Sequence, residues 1–510
     1  MPDSRSPHVR HTLFNLLGIG VPLVLGLLVI PVLVRELGPA RFGLLSIAWA
    51  VLEYFTLFDA GLGRATTREV ADRLARGARE GLGDVVAGSL LLQLGIGMVG
   101  GVVLALTAPL LVEHALRMPA ELRGEAHRSL LVLSAMLPLV LLSLAVRGLL
   151  EAAGRFGLSN LLRAPTSAAT FLVPAAMALA GATLPQILAG LVGVRAVSCV
   201  AGLWLVRRAI PQVRWRWPRQ WRPLRSVAAF GGWVAVSNVL TPGLLLFDRF
   251  ALGAIVGLTA VGYYTGPYEA STRVLLLPAA VIGTVFPAAA ALAARGERGA
   301  LRSLYLGALR TLIFAMLGGT LAAIVLAPHI LALWLGPEIA AHGATAFRIL
   351  LAAVFVNALV HVPFSVVQAL GRADLTARFH LLEVAVHVPI TLLLVQRWGV
   401  PGAAASWALR VGLDALLVFG AAGRLLDVRL RDPLAGRWWP TLLIGAGTLA
   451  MALLAAQLAA GSTRLAAALV LATAVGYAAA VWRLALTRTE RATALAAVRT
   501  RRPQRAPREA

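Results

Sequence analysis

The sequence predicts an all-α polytopic membrane protein with about fourteen transmembrane helices, and three observations carry that prediction. The 510 residues are 59% hydrophobic and only 14% charged. Apolar runs of about 20 residues, the length that crosses a bilayer as a helix, recur along the whole chain. Arginines gather in alternate gaps between those runs, the pattern of positive charge held on the cytoplasmic side. A soluble enzyme is excluded, because soluble helices keep a polar face and these have none. In a soluble protein the formal charge of +24 would suggest nucleic acid; here it lies between spans, so no nucleic-acid partner is expected.

The first run, 11–34, follows Arg5 and Arg10 as in a signal peptide. It is too long for one, and no small-x-small cleavage site follows, so it is expected to remain as the first span. Further spans are read at 42–63, 84–112, 129–150, 157–180, 184–206, 227–247, 251–286, 303–328, 345–369, 376–396, 400–423, 438–460 and 464–485. Within 251–286 a turn around Gly257 to Gly262 moves the start of the helix nearer Thr259. Arg64, Arg68, Arg73, Arg76 and Arg79 follow the second span, and seven arginines from Arg207 to Arg225 follow the sixth. The opposite side carries isolated residues such as Arg249, Arg348, Arg397 and Arg464, which predicts cytoplasmic termini. Its longest loop is 113–128, so no external domain is expected. The cytoplasmic stretch "RRAIPQVRWRWPRQWRPLR" (207–225) interleaves Trp215, Trp217 and Trp221 with arginine, as suits a segment lying against anionic lipid headgroups. The tail from Arg488 to Arg508 is basic and proline-interrupted, and reads as solvated, disordered charge. Cys199 is the single cysteine, so no internal disulfide can form.

A repeat organises the chain. Displaced by 219 residues, "RELGPARFGLLS" (35–46) falls on "AIVGLTAVGYYT" (254–265), placing Gly38 on Gly257 and Gly43 on Gly262. "ADRLARG" (71–77) falls on "AALAARG" (290–296), "LLEAAGR" (149–155) matches "VVQALGR" (366–372), and "TLPQILAGLVGVRAV" (183–197) resembles "GVPGAAASWALRVGL" (399–413). An offset of six spans leaves both halves in one orientation, which predicts parallel repeats about an axis along the membrane normal. The expected domains are a six-helix lobe with its linker (1–226), a second six-helix lobe (227–432), two additional transmembrane helices (433–486) and the basic tail (487–510). Gly-Pro at 38–39 then forms a short elbow between the first two helices, since glycine permits positive φ and proline stops the helix.

"LVRELGPARFGLLSIAWAVLEYFTLFDAGLGRATTREVA" (33–71) is similar to the opening of the polysaccharide-biosynthesis flippases of the multidrug, oligosaccharidyl-lipid and polysaccharide exporter superfamily. "LLLFDRFALGAIVGLTAVGYYTGPYEAS" (244–271) resembles the same family, and the similarity covers essentially the whole chain. The resemblance implies two lobes around a central cavity, alternating access and a polyprenyl-pyrophosphate-linked saccharide as cargo. It carries no catalytic signature to this sequence.

Charges inside a bilayer are costly, about 2.5 to 3.5 kcal/mol each on insertion scales, so each is a functional candidate. The deep set is Glu53, Arg195, Glu269, Arg273, Glu383, Arg410 and Asp414, with Asp59, Arg147, Glu151 and Arg310 nearer the cytoplasmic ends. Glu269 with Arg273, Arg410 with Asp414, and Arg147 with Glu151 are four apart and can pair structurally. Against pairing alone, Glu53 and Arg273 fall at nearly equivalent positions of the repeat, as do Arg195 and Arg410. Arg195 has no carboxylate one turn away, and a guanidinium fork suits pyrophosphate. Arg273, Arg195, Arg410, Glu53 and Glu269 are therefore the candidate substrate-binding residues. His380, Glu383 and His387 share one helix face and are the ion-coupling candidates, for a proton or sodium, with hydrogen-bonded structure as the competing reading. No pattern of metal ligands occurs and no cofactor is expected.

The expected function is a flippase for lipid-linked oligosaccharide, in the company of glycan polymerase and glycosyltransferases. A cation-coupled multidrug exporter of the same superfamily is the alternative. A membrane-embedded polymerase or ligase is a third, disfavoured by the short outer loops.

Overall fold

The computed structural model describes residues 6–58, 60–76, 81–115, 120–211, 246–428, 438–459, 463–481 and 483. Asp59, most of the 207–225 linker and the tail from Arg488 lie outside these residues. The described residues form α1 (Ser6–Phe58), α2 (Ala60–Ala75), α3 (Leu82–Leu110), α4 (Arg123–Ala152), α5 (Phe156–Leu179), α6 (Leu184–Ala209), α7 (246–255) and α8 (Leu258–Thr272). There follow α9 (Leu276–Ala294), α10 (Arg298–Val325), α11 (Ala327–Leu335), α12 (Pro337–Ala369), α13 (Ala373–Leu426), α14 (Trp438–Ala459) and α15 (Thr463–Ala480), with no strand among the described residues. Six segments among them, 82–113, 120–152, 184–209, 298–325, 337–369 and 374–426, are long and apolar enough to cross a membrane.

The repeat reappears in the backbone. Gly38 (φ 72°) and Gly257 (φ 128°) both adopt positive φ at the two matched elbows, so α1 is kinked at Gly38, where the sequence sets its short elbow. Gly154 and Gly371 are matched likewise: Gly154 N–H donates to Glu151 O at 2.9 Å and Arg155 N–H to Leu150 O at 2.8 Å. Gly371 N–H donates to Gln368 O at 2.9 Å and Arg372 N–H to Val367 O at 3.1 Å, the same closure of a helix end by a left-handed glycine. Between these halves one expectation fails. The gap placed at 248–250 is helical, because α7 runs through it and the break falls at Gly257. Arg249 is thus a helical, buried residue and not a loop arginine, and Arg348 lies within α12. A hydropathy reading ends a span at its first adjacent charges, but "LLLFDRFALGAIV" continues apolar on both sides.

The chain packs as two compact units, which divide it differently from the sequence halves. The first comprises 1–273, 334–346 and 384–407. In it α3 lies along α4, α4 along α6, and α1 along both α5 and α8. The α1–α8 approach is backbone to backbone: a Cβ at Gly43 would fall on the Leu258 carbonyl, and one at Gly262 on the Pro39 carbonyl. Three helix starts are tied together nearby. Arg41 Nε donates to Glu125 Oε2 at 2.9 Å, and Glu125 Oε1 accepts the Leu184 N–H at 3.1 Å, while Gln186 caps the Thr183 N–H at 2.8 Å.

The second unit comprises 274–333, 347–383 and 408–510. Its core gathers Val285, Leu301, Tyr305, Leu309, Leu312, Val362, Val366 and Ala422. The helix pair α14–α15 packs on α10, where Tyr477 covers Gly318 and donates to Phe314 O at 2.5 Å. At the start of α13, Arg372 Nε donates to Asp374 Oδ1 at 3.0 Å.

Candidate functional site

Two charged clusters sit among the apolar helices, one in each unit. In the first unit, Arg249 on α7 meets Glu269 on α8, 20 residues further along the chain. Arg249 Nη2 donates to Glu269 Oε1 at 2.9 Å, and Arg273 Nη2 donates to Oε2 of the same carboxylate at 2.7 Å. Glu269 is therefore shared by two guanidiniums, and the expected Glu269–Arg273 pair is formed. Arg249 is only 3% exposed, whereas Glu269 and Arg273 are 21% exposed. The guanidinium of Arg249 lies 4.7 Å above the Tyr268 ring, and Tyr268 meets Trp407 edge-on at 6.0 Å. Asp248, fully buried, accepts the Arg249 backbone N–H at 2.9 Å and the Tyr264 hydroxyl.

Space for Arg273 comes from Gly26 on α1, where a Cβ would stand 3.0 Å from Nη2, and Phe171 lies 6.0 Å beneath its guanidinium carbon. Glu53 belongs to the same field, feeling Arg249, Glu269 and Arg273, and its side chain is exposed. Two guanidiniums thus face three carboxyls. Because Glu269 already occupies the fork of Arg273, an anion at Arg273 would compete with it. Arg249 acts behind them as the residue that fixes Glu269.

Sequence reasoning missed Asp248, Arg249, Tyr264, Tyr268 and Trp407. The available signal was the Asp-Arg pair set inside an apolar run, two charges that a loop would not need to surround with Leu and Phe.

The second cluster lies on α13, which is 54 residues long and kinked at Gly399 (φ 58°). Residues 383 and 410 would be about 40 Å apart along a straight helix. Arg410 Nη1 instead donates to Glu383 Oε2 at 3.3 Å, so the chain reverses at the kink. His380 Nδ1 stands 3.4 Å from Glu383 Oε1. Arg410, which the sequence set beside Asp414, thus bonds Glu383, and Asp414 lies in the electrostatic field of Glu383, His380 and Arg410. His387, one turn further, packs in the first unit with Thr391 Oγ1 at 3.3 Å and Phe247 at 6.4 Å. Arg195 lies beside Arg147 and Cys199 on α4 and α6, and meets no carboxylate among the described residues. Glu151, expected with Arg147, accepts the Ser159 hydroxyl at 2.8 Å. No group of three metal-ligating side chains occurs among the described residues.

Long kinked helices in repeated halves define a class of membrane protein already known from solved structures. Lipid II flippase MurJ in an inward closed conformation matches with a TM-score of 0.67 at 12% identity, over 91% of this chain and 98% of that one. A multidrug resistance MATE family transporter of the MOP superfamily, inward-facing, matches with a TM-score of 0.64 at 17% identity, over 81% and 98%. These likenesses establish the fold. The family follows from sequence: residues 8–293 match the family described as "Polysaccharide biosynthesis protein". The Shigella flexneri protein named "Putative O-antigen transporter" is 29% identical over 422 residues, 82% of this chain and 99% of that protein. The chain belongs to the polysaccharide biosynthesis protein family.

Proposed function

We propose that this protein is a flippase of the bacterial cytoplasmic membrane. It moves a polyprenyl-pyrophosphate-linked oligosaccharide from the cytoplasmic to the external leaflet by alternating access, for assembly of cell-surface polysaccharide. The observation that carries this reading is the near full-length alignment with the Shigella flexneri protein. The first charged cluster supports it: Arg273, 21% exposed, presents a reachable guanidinium among apolar helices, as binding a diphosphate headgroup requires. In this reading fourteen spans form two six-helix lobes plus two terminal helices, with both chain ends cytoplasmic. Arg273 and Arg195 take the pyrophosphate, Glu269 releases Arg273 as the phosphate arrives, and the polyprenyl tail stays in lipid. The partners are those the chemistry demands, a glycosyltransferase that supplies the lipid-linked sugar and a polymerase or ligase that consumes it.

The test uses sealed proteoliposomes containing the purified protein and a labelled lipid-linked oligosaccharide, with leaflet position read by accessibility to an external lectin. Protein-dependent exchange between leaflets is expected. Export of cationic dyes without movement of the sugar lipid would assign the chain to drug export instead, and glycosyl transfer without movement to an enzyme.

A further inference from the structure

Pro31 lies inside α1, where its nitrogen carries no hydrogen and its ring crowds the carbonyl one turn earlier. That carbonyl belongs to Leu27, so the N–H that would close this helical turn is missing. Residues 11–34 read as a membrane span, where no water fills such a gap and a polar group without a partner is costly. Trp334, at the end of α11, supplies the donor: its indole Nε1 donates to Leu27 O at 2.7 Å, across 307 residues of chain. Both sides of this bond are anchored at the first charged cluster. Leu335, next to Trp334, is buried against α8, where a Cβ on Gly266 would fall 2.4 Å from its Cδ1. Gly26, next to Leu27, is the α1 residue that walls Arg273: a Cβ there would stand 3.0 Å from Nη2 and 3.5 Å from the Phe171 ring. The bond thus ties the α1 turn beside Arg273 to the segment packed on α8, the helix that Arg273 directly follows.

We propose that Trp334 is a positioning residue for Arg273: its indole N–H stands in for the one that Pro31 lacks, and so holds Gly26 of α1 against the guanidinium. Without that donor the Leu27 carbonyl must find another, and the α1 wall is no longer fixed at its close approach. The fork of Arg273 then loses its set direction, which weakens its grip on a diphosphate. Trp334 acts through Arg273 and not on the cargo. The effect on cargo rests on the flippase reading, but the hydrogen bond itself does not.

Thermal unfolding of the purified full-length protein in detergent reads the bond without any cargo. Trp334→Phe keeps an aromatic ring but has no N–H, and should lower the melting temperature. Pro31→Ala returns to α1 a backbone N–H that can close the turn on Leu27 O, so Trp334→Phe should cost much less when added to it. The double variant also carries the test if Trp334→Phe alone elutes as aggregate. An equal loss with and without Pro31→Ala would overturn the proposal. In proteoliposomes, Trp334→Phe should raise the KM for labelled lipid-linked oligosaccharide about two- to tenfold, the worth of one neutral hydrogen bond, with kcat little changed. Adding Pro31→Ala should restore the wild-type KM, and adding Trp334→Phe to Arg273→Ala should raise KM no further. An unchanged KM in the single variant, no rescue by Pro31→Ala, or a full further rise beside Arg273→Ala would overturn the positioning role. A wild type that moves no sugar lipid would refute the flippase reading and the positioning role with it, while the melting temperatures still decide the bond.

Discussion

Arg249 and Arg273 grip one carboxylate, and that sharing changes what each substitution should do. Arg273→Ala removes the reachable fork. Losing a charge-assisted contact of about 1.5 to 3 kcal/mol should cut flipping roughly ten- to hundredfold at matched protein levels. Arg273→Lys should fall between wild type and alanine, since an ammonium supplies charge without the two-pronged geometry. Glu269→Gln acts differently, because it leaves the 3%-exposed Arg249 without its carboxylate. A buried ion stripped of its partner costs about 3 to 5 kcal/mol, so this variant should lower the melting temperature in detergent more than Arg273→Ala does. If Glu269→Gln with Arg273→Ala recovers transport that Arg273→Ala alone has lost, Arg273 serves only to neutralise Glu269, and its role in cargo binding is refuted.

At the scale of the helices, the α1–α8 seam allows no side chain at Gly43 or Gly262. Gly43→Ala and Gly262→Ala should each destabilise by at least the 1 to 3 kcal/mol of an overpacked core, roughly, because a carbonyl cannot give way as a flexible side chain can. Gly447→Ala in α14, where nothing lies within 4 Å, should be neutral or slightly stabilising; thermal unfolding of the three variants in detergent checks both expectations. The helices and their elbows were legible beforehand because apolar length and Gly-Pro chemistry are local properties, and Gly38, Gly257 and Gly371 fall where the repeat places them. The charged clusters were legible only in part. Glu269 with Arg273 is an i, i+4 pair that any helix forms, whereas Arg249 reaches Glu269 across 20 residues and Arg410 reaches Glu383 across 27. Such meetings depend on where the chain turns: the turn at Gly257 was expected, but the additional break read at 248–250 set Arg249 in a loop and hid its reach to Glu269.

For the whole molecule, the arginine pattern makes a topology that reporters can read. Fusions after Arg76, Arg219 and Arg298 should report cytoplasmic, and fusions near Pro39, Glu121 and Glu338 external; an external signal at Arg219 would imply an odd number of preceding spans and break the parallel repeat. The seam carries a further consequence. Pro39 and Gly43 meet Leu258 and Gly262, and the same step of 219 residues carries 39 to 258 and 43 to 262. Each half offers the other the patch that it receives, which is the isologous contact of a two-fold homodimer made inside one polypeptide. Recognition of this kind does not need the covalent connection. Chains 1–226 and 227–510, co-expressed as separate polypeptides, should co-purify from detergent, and Gly43→Val in the first or Gly262→Val in the second should abolish the association. A half-length ancestor bearing these glycines would already have recognised its own copy, and gene fusion would have done no more than make the partner permanent.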